Sequence, residues 1–278
     1  MSLRRLGTAL LLTVAVPLLL AAGGCRSGRD SSHILTVTGS TTILPIAEIA
    51  GEMFAEEHPG DRVLVSGVGS SAGIESVAGG SSDIGTSSRD LKPEEASLGL
   101  VDTPIAYDAI AVIVNESNPV DALTMEQVRS IFEGRVRNWR EVGGPDMPIG
   151  LVNRDEASGT REAFFKIALK EQPFDPAAAV LPGTGQVRAV VAGSKGAVGY
   201  ISYGFVDETV KAVSIDGVVP SPETVADKRY PISRMLHMLT KGEPIGIAKE
   251  FIDFLLAQPV QDGVIPKAGF IPIRGASS

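Results

Sequence analysis

The 278-residue sequence predicts an α/β protein built from two similar Rossmann-like lobes, joined by hinge strands, with a ligand cleft between them. Short apolar segments of strand periodicity alternate with longer segments of helical periodicity, which is the pattern of α/β folds. Three strands in the first part of the chain end in turns rich in Ser and Thr, and the second part repeats this order. Because ligands bind at the carboxyl ends of strands in open α/β sheets, these turns predict a cleft lined by hydrogen-bond donors.

Residues 1–24 have the organisation of a secretory signal peptide, in which Arg4 and Arg5 precede a long apolar core that ends in small residues. The formal charge of the chain is −8, so removing the two arginines leaves −10. An acidic chain argues against nucleic-acid binding, although it permits a local site for a small anion. No other run approaches the roughly 18 apolar residues that a spanning helix needs, so we expect no further membrane segment.

Cys25 follows the predicted signal peptide directly and is the only cysteine, which excludes an intramolecular disulfide. The arrangement resembles the lipobox of bacterial lipoproteins, except that Ala22 stands where that pattern usually has Leu. The resemblance implies cleavage before Cys25 and lipid on its sulfur. Residues 25–32 would then be the lipidated cysteine and a polar tether. A plain signal peptide followed by a free thiol is the alternative.

The first lobe is predicted from three strands that each end in a hydroxyl turn. An apolar pattern of helical spacing follows the first and second turns, so their hydroxyls stand at strand-to-helix junctions. The strands span residues 35–38, 61–68 and 83–86, and the turns are Ser40-Thr41-Thr42, Ser70-Ser71 and Ser87-Ser88-Arg89.

The second lobe is predicted to repeat the first. A long strand over residues 103–115 bridges the lobes, and residues 122–132 have helical spacing. The repeated strands span residues 149–152, 177–181 and 198–202, and the turns after the first two are Ser158-Gly159-Thr160 and Gly183-Thr184-Gly185.

The end of the chain is predicted to return to the first lobe. Its elements are a Pro-rich connector over 220–227, a strand over 230–239, a helix over 247–256 and an extended segment over 266–273. The first lobe is therefore assigned residues 33–108 plus 216–278, and the second lobe residues 109–215.

The turn at Ser158, Gly159 and Thr160 has the chemistry of an oxyanion site. It lies between a predicted strand and a helix, so its backbone amides lack intrahelical partners and carry the positive end of the helix dipole. Two hydroxyls add donors, and Arg154 adds a permanent planar cation. An ordinary Ser N-cap with a surface arginine nearby is the alternative.

Two enzyme motifs also fit the second turn. Residues 67–72 match the dinucleotide pattern G-x-G-x-x-A, but the next strand begins at Asp83 and ends in Thr86, Ser87 and Ser88, without the acidic residue that this pattern needs at the strand end. Residues 69–73 match the hydrolase elbow G-x-S-x-G with Ser71 as nucleophile. Of three histidines, only His237 follows Ser71 in the hydrolase chain order, and it lies in an apolar run that predicts a core strand. A serine hydrolase therefore remains a less favoured alternative.

Over nearly its whole mature length, the sequence resembles the phosphate-binding lipoproteins of high-affinity phosphate ABC transporters. The segments that carry this resemblance are Gly39-Ser40-Thr41-Thr42, residues 67–73, residues 83–89, Phe132-Glu133-Gly134 with Asn138-Trp139, Arg154 with Ser158-Gly159-Thr160, and residues 196–200. The resemblance implies a type II periplasmic binding protein that closes on a dehydrated phosphate. It implies the phosphate-binding residues Thr41, Thr42, Ser70, Ser88, Arg154, Ser158, Gly159 and Thr160.

Ser88 departs from the pattern of some family members, which have at this position an Asp that accepts the phosphate proton and repels sulfate. Ser88 can accept a hydrogen bond but carries no charge, so the same fold binding another tetrahedral oxyanion, such as sulfate, tungstate or molybdate, is the leading alternative.

The resemblance also implies partners and a location. We expect an extracytoplasmic, monomeric solute-binding protein that delivers phosphate to an ABC permease and touches the membrane only through the lipid on Cys25. We expect no catalysis, no cofactor, no metal and no nucleic acid.

Overall fold

Strands and helices alternate along residues 33–273, which is the part of the chain that the computed structural model describes. The predicted signal peptide and Cys25 lie outside these residues. The strands are β1 (Ile34–Gly39), β2 (Arg62–Gly67), β3 (Ile84–Ser87), β4 (Leu100–Asn115), β5 (Ala122–Leu123), β6 (Gly150–Arg154), β7 (Ala179–Leu181), β8 (Ala197–Ser202), β9 (Val210–Ala212), β10 (Ser214–Ile215), β11 (Ser233–Lys241) and β12 (Ile271–Pro272).

The helices pack against these strands through apolar faces. In the first helix, for example, Ile46, Ala50 and Phe54 recur at helical spacing and are all buried. The helices are α1 (Leu44–Glu57), α2 (Ser70–Gly79), α3 (Met125–Phe132), α4 (Gly159–Ile167), α5 (Thr184–Ala192), α6 (Pro222–Ala226), α7 (Gly246–Leu256) and α8 (Ile265–Lys267).

The main sheet contains the same arrangement of strands at both of its ends. Its order is β2-β1-β3-β11-β4-β8-β6-β7, and β9 and β12 also pair with β4. At one end β1 lies between β2 and β3 and pairs with both in parallel, and at the other end β6 lies between β7 and β8 in the same way. The predicted repeat of strand, hydroxyl turn and helix is therefore visible in the topology, and the predicted fold class is confirmed.

Strand β4 joins the two halves of the sheet. Its first part pairs antiparallel with β11, as in Arg234 opposite Asp108, and its second part pairs antiparallel with β8, as in Val112 opposite Tyr200. A single strand of 16 residues thus crosses from one lobe to the other. The long strand predicted over residues 103–115 is present as β4, which already starts at Leu100.

Several apolar clusters pack against the sheet, and two of them are large. One core packs β1, α1 and α7 through side chains such as Leu35, Phe54 and Phe251. The other packs α3, α4 and β8 through Phe132, Phe164 and Tyr200, whose rings stack or meet edge to face. Within residues 33–273, none of the helices combines the length and hydropathy needed to span a bilayer.

Three predicted boundaries are wrong in part. Residues 122–123 pair with β10 as a small parallel sheet, and the helix starts after Thr124, whose side chain caps it. The connector over residues 220–227 contains the short helix α6, because Ser221 caps it and Pro222 occupies its first turn. The segment over residues 266–273 begins in a helical turn and is extended only at β12.

Candidate anion-binding site

The hydroxyl turns of the two lobes meet in one buried place. Oγ1 of Thr41 lies 3.1 Å from Oγ1 of Thr184, and Oγ1 of Thr42 lies 3.2 Å from Oγ1 of Thr160. Thr41 and Thr42 follow β1, whereas Thr160 and Thr184 belong to the first turns of α4 and α5. Thr42, Thr160 and Thr184 are at most 1% exposed. The two lobes therefore touch through paired hydroxyl groups.

A second pair of hydroxyls faces Gly159. The Ser88 amide donates to Ser70 Oγ at 3.1 Å, and the two serine oxygens lie 3.3 Å apart. A Cβ atom at Gly159 would overlap Ser70 Oγ and come within 2.8 Å of Ser88 Oγ, so only glycine permits this approach. Beside it, the Ser71 amide donates to the Ala157 carbonyl at 3.1 Å, which is a backbone hydrogen bond from one lobe to the other.

Helix α1 begins two residues after Thr42, and three further helices begin at residues of the site itself. They are α2 at Ser70, α4 at Gly159 and α5 at Thr184. Their first amides have no intrahelical acceptor and carry the positive ends of the helix dipoles, which favour an anion. Ser158 caps α4, since its Oγ accepts from the Arg161 amide at 3.2 Å. The predicted N-cap at Ser158 is thus correct, but the alternative of a surface arginine beside it is wrong, because Arg154 is buried.

Arg154 lies at the end of β6 and is only 2% exposed. Its guanidinium donates from Nε to the Leu181 carbonyl at 3.2 Å, from Nη1 to Thr184 Oγ1 at 3.2 Å, and from Nη2 to the Pro182 carbonyl at 2.7 Å and Thr41 Oγ1 at 3.3 Å. A guanidinium has five N–H donors, so these four bonds leave one N–H on Nη1. Arg154 therefore spans from its own lobe to the hydroxyl turn of the other.

The charge of Arg154 has no counterion within residues 33–273. All four of its acceptors are neutral, and no carboxylate in this part of the chain forms an ion pair with it. Burial lowers the pKa of Arg154, and the nearby Tyr200 and Asp155 act in the opposite direction. Because burying an unpaired charge is costly, this environment favours the binding of an anion.

Sequence analysis missed a second buried guanidinium, that of Arg234 on β11. Its Nε and Nη2 donate to Asp108 Oδ2 at 3.0 and 2.8 Å, its Nη1 to the Ser88 carbonyl at 3.0 Å, and its Nη2 to Thr42 Oγ1 at 3.2 Å. Ser202 Oγ donates to the other Asp108 oxygen at 2.7 Å. The sequence contained an indication of this residue, because Arg234 lies inside an apolar strand and a buried charge there needs a partner. Thr184 was noted only as part of a repeated turn.

The hydrolase arrangement is not assembled around Ser71. Ser71 Oγ accepts from Arg89 Nη2 at 3.3 Å, and Arg89 is neutralised by two contacts of 2.7 Å with Glu95. His237 is buried in β11, where its Nδ1 lies 2.8 Å from Asp102 and its Nε2 lies 3.4 Å from Asp90. Ser71 and His237 therefore bind different partners and do not form a nucleophile–base pair.

The structure brings all eight predicted anion-binding residues to one place. Contacts join Thr41 to Arg154, Thr42 to Thr160, and Ser70 to Ser88 beside Gly159. In residues 33–273, no group of three or more His, Cys, Asp or Glu side chains is arranged to hold a metal ion. Chemically, the site offers hydroxyl and amide donors and one uncompensated cation, which suits a small oxyanion.

Comparison with known proteins identifies the family of this chain. A family model described as a PBP superfamily domain matches residues 24–259. The phosphate-binding protein PstS of Bacillus subtilis is 36% identical over 252 residues, which cover 89% of this chain and 83% of that protein.

Two solved structures are similar over most of this chain. One is a crystal structure from Clostridium perfringens, described as a phosphate ABC transporter substrate-binding protein with bound phosphate. It has a TM-score of 0.83 and 39% identity, covering 87% of this chain and 100% of that one. The other, an ABC-type phosphate transport receptor from Vibrio cholerae, has a TM-score of 0.71 and 34% identity, covering 86% and 99%. With a family model matching most of its length and a relative above 30% identity, the chain belongs to the PBP superfamily domain family, in the same group as PstS.

Proposed function

We propose that this protein captures inorganic phosphate between its two lobes and delivers it to an ABC permease. The observation that carries the proposal is Arg154, a buried guanidinium with only neutral acceptors in the described part of the chain. A bound oxyanion would supply the missing countercharge. The relatives named PstS and the phosphate-bound structure from Clostridium perfringens support phosphate as that oxyanion.

The proposed phosphate shell takes donors from both lobes. Arg154 contributes its remaining N–H and its charge, and the first turn of α4 contributes amides and a hydroxyl. The residues of this shell are Thr41, Thr42, Ser70, Ser88, Arg154, Ser158, Gly159 and Thr160. They are buried or half-buried, so a bound phosphate would exchange its water shell for fixed protein donors.

We assign residues 33–108 plus 216–278 to the first lobe and residues 109–215 to the second. The support is the switch of β4 from pairing with β11 to pairing with β8, which falls at Ala109 and Ile110. Closure of the lobes would be stabilised by phosphate because its contacts with both lobes exist only in the closed arrangement.

We propose further that the protein acts outside the cytoplasm, anchored by a lipid on Cys25, as a monomer and without catalysis. The signal-like residues 1–24 and the single cysteine support the anchor. The partners of Ser71 and His237 support a binding role, because Ser71 Oγ contacts Arg89 and His237 contacts Asp102, so His237 is not placed to activate Ser71 as a nucleophile.

Native mass spectrometry of the purified protein tests phosphate binding directly. We expect a fraction of the protein to carry a ligand of phosphate mass, and we expect dialysed protein to bind added phosphate with a stoichiometry of about one in titration calorimetry. Protein that carries no such mass and releases no heat with phosphate would contradict the proposal.

A second candidate is the same site binding another tetrahedral oxyanion. The observation that favours it is Ser88, whose Oγ lies beside Ser70 Oγ and carries no charge. Without a carboxylate at this position, repulsion of sulfate is weaker. Competition of sulfate, tungstate and molybdate against phosphate distinguishes the candidates, because displacement of phosphate by an equimolar competitor would favour the broader specificity.

A further inference from the structure

The wall of the proposed phosphate site contains a buried ion pair whose role lies beyond the eight residues above. Arg234 on β11 stands opposite Asp108 on β4 in the antiparallel register. The side chains are 4% and 0% exposed, and Asp108 accepts two hydrogen bonds from Arg234 and one from Ser202. Such a pair is costly to bury and often adds little net stability, so its presence beside a ligand site calls for a functional explanation.

Arg234 is directly connected to two of the proposed ligand residues. It donates to the Ser88 carbonyl at 3.0 Å and to Thr42 Oγ1 at 3.2 Å. Because a guanidinium can only donate, Thr42 Oγ1 must accept from it, and the Thr42 hydroxyl proton is left to point elsewhere. The neighbouring group is Thr160 Oγ1, 3.2 Å away. Arg234 thereby occupies one acceptor position of Thr42 Oγ1 and leaves the hydroxyl proton free to turn toward Thr160 or the cleft.

The charge of Arg234 is cancelled locally, unlike that of Arg154. Burial raises the pKa of Asp108 and lowers the pKa of Arg234, and the attraction between them opposes both shifts. The carboxylate accepts hydrogen bonds from both Arg234 and Ser202, which stabilises its charged form. Tyr200 and Arg154 are the other ionisable groups that act on Arg234 or are affected by it. One net positive charge, that of Arg154, thus faces the anion.

We propose that Asp108 determines the charge selectivity of the site and that Arg234 is the positioning residue through which it acts. Asp108 keeps a second guanidinium near the anion without adding a second net charge. The site then favours an anion that can lower its charge by holding a proton, as phosphate does, over the permanent dianion sulfate. Asp108, which reaches the site only through Arg234, would supply a repulsion of sulfate that the uncharged side chain of Ser88 cannot supply. This inference rests on the proposed phosphate-binding function.

Two single substitutions shift the balance of charge in opposite directions. Asp108→Asn leaves Arg234 uncompensated, and we expect the ratio of sulfate to phosphate affinity to rise at least about tenfold, since a unit charge several Å from the anion acts on each ligand charge. Arg234→Gln leaves Asp108 uncompensated, and we expect the same ratio to fall at least about tenfold. Both ratios are measured by titration calorimetry at neutral pH.

The double variant Asp108→Asn with Arg234→Gln restores the net charge of the wild type. We expect its ratio of sulfate to phosphate affinity to return to within about threefold of the wild-type value. Asp207→Asn breaks the half-buried ion pair with Arg188 and serves as a matched control whose ratio stays unchanged. Circular dichroism of each variant identifies any that does not fold, and either single variant is sufficient for the test.

The outcomes separate the inference from the function on which it rests. Wild-type protein that binds neither anion would contradict the proposed function. Wild-type protein that binds phosphate, with a folded single variant whose ratio changes by less than about twofold, would overturn the inference alone. Folded variants that lose both anions equally would also overturn it, because that result would show a purely structural role for the pair.

Discussion

Arg154 differs from the other buried arginines in having no carboxylate partner within residues 33–273. Arg89 is paired with Glu95 and Arg234 with Asp108, so both of these buried guanidinium groups are neutralised by a carboxylate. The chain could have done the same for Arg154, which lies next to Asp155 in sequence. The restriction of its hydrogen bonds to neutral acceptors is therefore a feature of the site.

Replacing Arg154 with Ala removes the one uncompensated charge of the site. We expect phosphate binding to weaken by at least ~2 kcal/mol, because a dehydrated anion would lose a charged hydrogen-bond donor. Titration calorimetry measures the effect. Arg229→Ala, which removes an exposed arginine paired with Asp227, is the control and should bind phosphate like the wild type. An Arg154→Ala variant of unchanged affinity would refute the assigned role.

A substitution at Gly159 tests whether the two lobes approach each other closely at this residue. Gly159→Ala places a methyl group against Ser70 Oγ and Ser88 Oγ, so we expect phosphate affinity to fall by about tenfold or more as closure meets steric overlap. Gly79→Ala is the matched control, since a Cβ at this helical glycine meets nothing within 4 Å. It should leave the affinity unchanged and stabilise the fold slightly. Equal affinities for the two variants would contradict the closed geometry.

At the level of secondary structure, sequence patterns predicted the strand-to-helix junctions because each combines an apolar strand, a hydroxyl turn and a helical repeat. The patterns did not predict β5, since a two-residue strand has no periodicity and depends on pairing with β10. They also missed Arg234, whose partner Asp108 is distant in sequence and adjacent only through the register of β11 and β4. Patterns within a short stretch of sequence therefore predicted local structure, whereas contacts between residues distant in sequence could be identified only from the fold.

The N-terminus of α4 allows its structural and binding roles to be separated. Ser158→Ala removes the side chain that accepts from the Arg161 amide, and we expect a loss of about 1 kcal/mol in the free energy of unfolding. Ser158→Asp keeps an effective capping oxygen but places a negative charge at the anion site. We expect it to unfold at nearly the wild-type temperature and to bind phosphate at least about a hundredfold more weakly.

Thermal unfolding and calorimetry of the two Ser158 variants provide the measurement. If Ser158 were only a cap, Ser158→Asp would bind phosphate like the wild type, and this result would remove Ser158 from the proposed shell.

For the whole molecule, the balance between the contacts across the lobes and the buried charge of Arg154 connects the fold to the proposed function. The closed arrangement pairs hydroxyls across the lobes at Thr41 with Thr184 and Thr42 with Thr160, and it adds a backbone hydrogen bond from Ser71 to Ala157. The same arrangement buries Arg154 without a counterion in the described residues. The contacts favour closure and the buried charge opposes it, so a bound anion would decide which state is populated.

This balance predicts that compaction of the protein in solution depends on phosphate and on Arg154. We expect the radius of gyration from small-angle X-ray scattering to decrease when phosphate is added to the ligand-free wild type, because the anion removes the cost of burying the guanidinium. Arg154→Met keeps a long side chain without the charge, so its radius should be the same with and without phosphate. A wild type equally compact in both conditions would show that closure is driven by the cross-lobe contacts alone, and that the charge of Arg154 holds the ligand without controlling the motion.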